Sequence, residues 1–189
     1  PGTMKSLLVS VFWPAWEWIE HPDKRFMASS YSESLSLRDS VRCRDLLLSE
    51  WYQTRWPIHL KEDQNAKGKF ENDHGGWRMV GSIGGKGTGE HPDRLLIDDP
   101  HNVTQMESEQ ERQNVVDWLD SVVATRGVTR GVRRVLIMQR LHSLDASGHL
   151  LDKGPWEHLC LPMRFEAGRM TPTSIGWTDP RTEEGELLW

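Results

Sequence analysis

Leu95-Leu96-Ile97-Asp98-Asp99-Pro100 is a short apolar run that stops at two adjacent carboxylates. A strand buried on both faces of a parallel sheet reads as a near-continuous hydrophobic run. Open α/β sheets bind their ligands at the carboxyl ends of the strands. The run therefore predicts a central strand with two acids at its ligand-facing end. Acids there are poorly placed for packing and well placed to hold a magnesium ion and orient a water. The opening of the chain adds weight. Pro1-Gly2-Thr3-Met4-Lys5-Ser6 leads into a long apolar segment, Leu7 to Ile19, and Lys-Ser followed by a helix is the closing part of a phosphate-binding P-loop. Together the two features imply a nucleoside triphosphatase; neither implies it alone.

Composition sets the bounds. At 189 residues the chain can bury a substantial core, and one α/β domain is the natural count. An apolar content of 37% with ten Trp excludes a disordered chain. The net charge of −5 gives no global basic field of the kind that marks a nucleic-acid binder. Positive charge is local, at Arg126, Arg130, Arg133 and Arg134, where it either touches DNA phosphates or flanks a strand. Cys43 and Cys160 form no CxxC pattern, so neither a disulfide framework nor a zinc site is indicated, which suits a reducing compartment. No run of 18 apolar residues and no signal peptide is present. The chain lacks an initiator Met and is expected to enter the P-loop partway, truncated at the front.

Hydrophobic spacing predicts a helix over residues 5–19 with Leu8, Val11, Phe12, Ala15, Trp16 and Ile19 in register. Pro14 should remove one backbone bond and kink that helix near Ser10. Strands are predicted at Arg25–Ser30, Gly76–Ile83, Leu95–Asp98, Val132–Met138 and Glu157–Leu161. A helix is predicted from Ser32 to Tyr52. Thr104 and Glu107 form a capping-box pattern for another helix, to about Ala124. Alternating strands and helices argue for a three-layer α/β fold of the P-loop NTPase type with a mainly parallel sheet. From Glu166 to Trp189 periodicity gives way to Gly, Pro, Thr and charge, which reads as a linker.

The candidate site residues follow from this layout. Gly2, Thr3, Met4, Lys5 and Ser6 would cradle the phosphates of ATP, with Lys5 on the β/γ-phosphates. Ser6 and Asp98 would hold Mg²⁺, and Asp99 would polarise the attacking water where most ATPases of this class use Glu. An ordinary turn after a strand is the competing reading of Asp98-Asp99-Pro100. Met4 stands where the standard loop has Gly. Gln139 at the end of a strand would sense the γ-phosphate and Arg140 relay its state; alternatively Arg140 is a surface residue and His142 caps a turn. The loop Gly84–Gly89 fails as a P-loop because Gly87 follows Lys86, and reads as a mobile loop beside the nucleotide or DNA, or as a plain flexible turn. The His residues match no zinc spacing.

In this order the motifs resemble the ATPase domain of tailed-phage terminase large subunits, the DNA-packaging motors. The resemblance runs through Pro1–Ser6, Ala28–Ser32 with Ser49–Tyr52, Gly75-Gly76-Trp77-Arg78, Thr88-Gly89 and Leu96–Pro100. It continues through Gln139–His142 with Asp145 and Gly148, Leu161-Pro162, Asp179–Thr182 and Gly185–Trp189. It implies hydrolysis of ATP with Mg²⁺ to drive double-stranded DNA into a viral procapsid. It further implies a homo-oligomeric ring docked on that procapsid in the bacterial host cytoplasm, with portal protein and small terminase subunit as partners and no membrane. Residues 1–165 would be the ATPase domain, and 166–189 would lead to an RNase-H-like nuclease beyond Trp189. Many members carry an Arg early in the loop, where Gly2 stands here, and often Thr in place of Gln139. Arg38, Arg42, Arg44 and Arg140 are therefore the candidates for stabilising transition-state charge. A helicase-like translocase and a non-hydrolysing DNA- or portal-binding adaptor are the competing functions.

Overall fold

Leu95, Leu96 and Ile97 are at most 1% exposed, buried on both faces of a six-stranded sheet. The computed structural model describes residues 4–84, 89–126 and 131–188, with backbone alone for Gln105 and 123–126. The strands are β1 (Phe26–Ser30), β2 (Leu60–Asn65), β3 (Lys69–Asn72), β4 (Trp77–Ser82), β5 (Arg94–Asp98) and β6 (Arg133–Ile137). Their order is β2-β3-β4-β1-β5-β6. From β4 to β6 every pairing is parallel, whereas β2–β3 and β3–β4 are antiparallel, so the sheet is mixed.

Alternation divides the core. Phe26, Ala28 and Leu96 face Val11, Ala15 and Trp18 of the first helix and Cys43 and Leu47 of α2 (Glu33–Leu48). Met27, Leu95 and Ile97 face Leu119 and Val122 of α4 (Glu109–Arg126). Each fully buried Leu or Ile contributes about 1.5–3 kcal/mol, which explains the unbroken apolar run Leu95–Ile97 between Arg94 and Asp98. At the opposite end of the sheet, Asp93 clamps Arg25 with Oδ2 to Nε at 3.0 Å and Oδ1 to Nη2 at 3.2 Å. Buried Glu17 of α1 (Trp13–Glu20) pairs with Arg94.

The first helix departs from α geometry where Pro14 demands it. Leu7–Phe12 is π-helical, with the Trp13 N–H bonded to the Leu8 carbonyl. Pro14 offers no N–H to the Ser10 carbonyl, and Arg78 Nη2 donates to it at 3.0 Å instead.

Several expectations change. Residues 32–52 form two helices, α2 and α3 (Glu50–Gln53), because Ser49 is extended and its side chain caps Tyr52. Thr104 and Glu107 do not box α4: Asn102 caps a short 3-10 turn, Val103–Gln105, and the Ser108 hydroxyl accepts from Glu111 N–H at 3.4 Å. Glu157–Leu161 forms no strand, and β2 and β3 arise where no strand was expected. β3 ends in a turn that Asn72 locks. Its Oδ1 accepts from His74 and Gly76 N–H, both at 3.0 Å, and its Nδ2 donates to the Pro22 carbonyl at 2.7 Å.

The chain divides into two compact units, Pro1–Ser147 and Gly148–Trp189. In the second, Arg181 and Asp179 are a buried pair, Nη2 to Oδ2 at 2.6 Å. Arg181 also donates to the Pro162 and Glu186 carbonyls and lies over the Phe165 ring. Among the described residues no helix is long and apolar enough to cross a membrane.

Candidate functional site

Parallel register aligns Ser30, Asp98 and Ile137 at the same sheet end. The helix that opens the chain begins there. Ser6, Asp98 and Asp99 line one cavity there, and the Ser6 side chain and the charges of Lys5 and Asp99 act on the Asp98 carboxyl. Burial pushes Asp98 up to about 6, with the Asp99 and Asp39 carboxylates adding to the rise and Ser6 and Lys5 opposing it. An acid so placed stays ionised more readily when a cation joins it. Ser6 and Asp98 offer hard oxygens, and among the described residues no group of three or more His, Cys, Asp or Glu competes for a metal. That donor set fits Mg²⁺, which binds through one or two protein oxygens and otherwise keeps waters or phosphates.

Among the described non-glycine residues only Met4 (φ 53°) and Asp99 (φ 42°) have positive φ, and they flank this site from two sides. Left-handed backbone at a non-glycine residue costs of order 1–3 kcal/mol and clusters at functional sites. Asp99 also precedes Pro100, which favours extended backbone in its neighbour. Asp99 is held by its N–H to the Ile137 carbonyl at 2.8 Å and by the Tyr31 N–H on its own carbonyl at 3.2 Å. Met4 takes the conformation that a glycine adopts without strain.

A cavity of about 160 Å³ opens beneath these groups, between β1, the first helix and α2. Asp98, Asp99, Ser6 and Ser30 line it together with Asp39 and Arg78. Asp39, 3% exposed, accepts from Arg38 Nε and Nη2 at 2.9 and 3.0 Å and from Arg42 Nη1 at 3.4 Å. The Asp39 hydrogen bond raises Arg38, with Asp98 adding to the effect. Arg44 instead reaches the Asn65 carbonyl at 3.5 Å. Of the arginine candidates, Arg38 alone lines the cavity. Sequence reasoning missed Asp39 and Arg78; an acid and a base inside otherwise amphipathic elements carry no local signal of burial.

Gln139 follows β6 at the same sheet end and, among the described residues, makes no hydrogen bond to Ser6, Asp98 or Asp99. Arg140 is engaged locally. Its Nε binds Asp145 Oδ2 at 3.0 Å and its Nη2 the His142 and Ser143 carbonyls at 3.3 Å. The buried Asp145 also accepts from Leu141 and His142 N–H, so this ion pair closes a turn. Gly2, Thr3, Arg130 and residues 85–88 of the glycine-rich loop lie outside the described residues, as does the Arg126 side chain.

A second cavity, about 260 Å³, lies beyond Pro100 and is lined by Tyr31, Gly84, His101 and Asn114. His101 Nε2 accepts from the Ala146 N–H at 2.9 Å, and burial holds its imidazole below the ordinary value. Protonation therefore favours the unfolded chain, and this contribution is lost as pH falls below about 6.5. Unfolding midpoints between pH 7.5 and 5 should fall more steeply for the wild type than for His101→Gln; parallel curves would mean that His101 does not titrate with unfolding.

The fold and site define an α/β protein with a polar, strained cluster at the carboxyl end of a six-stranded, mostly parallel mixed sheet. No protein-family profile matches the chain, and no curated protein matches it significantly.

Proposed function

We propose that this chain is a P-loop ATPase of the DNA-packaging motor type, hydrolysing ATP to move double-stranded DNA. The observation that carries the ATPase half is the meeting of Lys5 and Ser6, at the start of a helix, with Asp98 and Asp99, at the end of β5. Left-handed backbone at both Met4 and Asp99 supports it. The DNA half rests on the ordered set of motifs from Pro1–Ser6 to Gln139–His142.

In this reading backbone N–H groups at the helix start and the Lys5 ammonium bind the β/γ-phosphates. Ser6 and Asp98 would hold Mg²⁺, which neutralises charge on the phosphates. Asp99 orients the attacking water and accepts its proton at a carboxylate oxygen. Of the arginine candidates read from the sequence, Arg38 lines the same cavity and would meet charge developing on the transferred phosphoryl group. Arg140 would pass on nucleotide state through the turn closed by Asp145, with DNA, portal protein, small terminase subunit and a ring of copies as partners in the host cytoplasm.

Steady-state hydrolysis of MgATP, with and without double-stranded DNA, tests the proposal. Turnover raised by DNA supports a motor; turnover indifferent to DNA rejects the motor and keeps the ATPase; no turnover with intact DNA binding points to the adaptor. Lys5→Ala should weaken MgATP binding as well as hydrolysis, by roughly 10- to 100-fold for loss of a charged hydrogen-bond partner. Unchanged affinity would remove Lys5 from the site.

A further inference from the structure

Arg78 on β4 is 0% exposed, yet only its Nη2 is served, by the Ser10 carbonyl at 3.0 Å. Its Nε and Nη1 have no hydrogen-bond partner among the described residues, and the side chain lines the cavity that reaches Ser6 and Asp98. A buried guanidinium so incompletely satisfied is expensive to keep, which asks what its one strong bond secures.

That bond falls on a special carbonyl. In an α-helix the residue-14 N–H would serve Ser10, and Pro14 has none. Around it the helix runs in π geometry over Leu7–Phe12. The geometry has a directional consequence. Val11, Ala15 and Trp18 face the core at α-helical spacing. Continued backward, that spacing reaches Leu8 or Leu7, of which Leu8 is 55% exposed. A π turn closes i→i+5 bonds and so takes up an extra residue, and Leu7 rather than Leu8 packs against the core before Val11. Ser6 thereby lines one cavity with Asp98.

We infer that Arg78 is a positioning residue for the nucleotide site, acting with Pro14 through the Ser10 carbonyl to hold the π register that turns Lys5 and Ser6 toward Asp98. The inference rests on the nucleotide reading above. Arg78 touches neither Asp98 nor Ser6 by any hydrogen bond among the described residues; its action passes through the helix. Two changes release the same constraint. Arg78→Met removes the donor to Ser10, and Pro14→Ala supplies an N–H that lets Ser10 bond within an α-helix.

The test measures the dissociation constant of MgATP by calorimetry, together with the unfolding midpoint without nucleotide, for wild type, each single variant and the double variant. Each single variant should weaken MgATP binding by roughly 10-fold. The double variant should bind no worse than the weaker single one, since substitutions acting on one carbonyl are not additive. A merely structural arginine would lower the midpoint and leave the affinity of the folded protein unchanged, which would overturn the inference. Should Arg78→Met fail to fold, Pro14→Ala decides alone: unchanged affinity there also overturns it. A wild-type chain that binds no MgATP rejects the nucleotide site itself, and the inference with it.

Discussion

Asp99→Asn is expected to leave the dissociation constant of MgATP unchanged and to lower turnover by about 10²–10⁴-fold, the usual contribution of a positioned base. The substitution keeps side-chain shape but removes the charge that orients water and the site that accepts its proton. It is also clean at the backbone. Asp99 sits at φ 42°, and Asn tolerates left-handed backbone at least as well as Asp. The bonds from Asp99 N–H to Ile137 and from Tyr31 to the Asp99 carbonyl involve main chain alone. Lost activity in a protein of unchanged unfolding midpoint therefore reports the carboxylate. Asp98→Asn, by contrast, should weaken binding when Mg²⁺ is present, because Asp98 shares one cavity with Ser6 at the proposed ion. Near-normal turnover in Asp99→Asn would assign the water to another residue, and the Asp-Asp-Pro stretch would revert to an ordinary turn.

Among the described glycines, Gly76→Ala should be the most damaging substitution. An added Cβ would sit 1.9 Å from the Pro22 carbonyl oxygen, 2.9 Å from Asn72 Nδ2 and 3.0 Å from the Lys24 carbonyl oxygen. Two of the three are backbone, so no rotamer change relieves the clash. The segment before β1 and the turn before β4 would have to separate, breaking the Asn72 bond to Pro22. Overpacking of this kind costs about 3 kcal/mol or more, or a fall of roughly 6–12 °C in unfolding midpoint for a chain this size. Gly68→Ala is the control: its Cβ would meet only Leu37 Cδ2, at 3.8 Å. Equal midpoints for the two variants would show that this turn is not packed as described.

The glycine pair at 75 and 76 was visible in the sequence as a motif, but its cause was not. Gly76 is required by the approach of Pro22, fifty-four positions away in the chain. The same division applies to helix one. Pro14 announces a defect by its chemistry alone, whereas the arginine that repairs it arrives from β4. The arms of the sheet divide likewise. β5 was legible because a strand flanked on both faces selects an apolar run, and β6 because Val135, Leu136 and Ile137 continue one at the other edge. β2, Leu-Lys-Glu-Asp-Gln-Asn, carries no alternation, since an edge strand is ordered by pairing with its neighbour and tolerates exposed charge. Glu157–Leu161 shows the converse, apolar residues with no partner strand to join.

By itself the sequence determined the α/β class, the buried strand ending in Asp98 and Asp99, and the lysine and serine at the start of a helix, because burial on regular elements leaves a period in the chain. Only the tertiary structure decided that Ser6 and Asp98 share one cavity, that Asp99 and Met4 are left-handed, that Arg140 closes a turn with Asp145, and that Arg78 and Asp39 are buried around that same cavity. Those outcomes depend on groups far apart in sequence satisfying one another's hydrogen bonds and charges, and no local pattern encodes a partner that is not local.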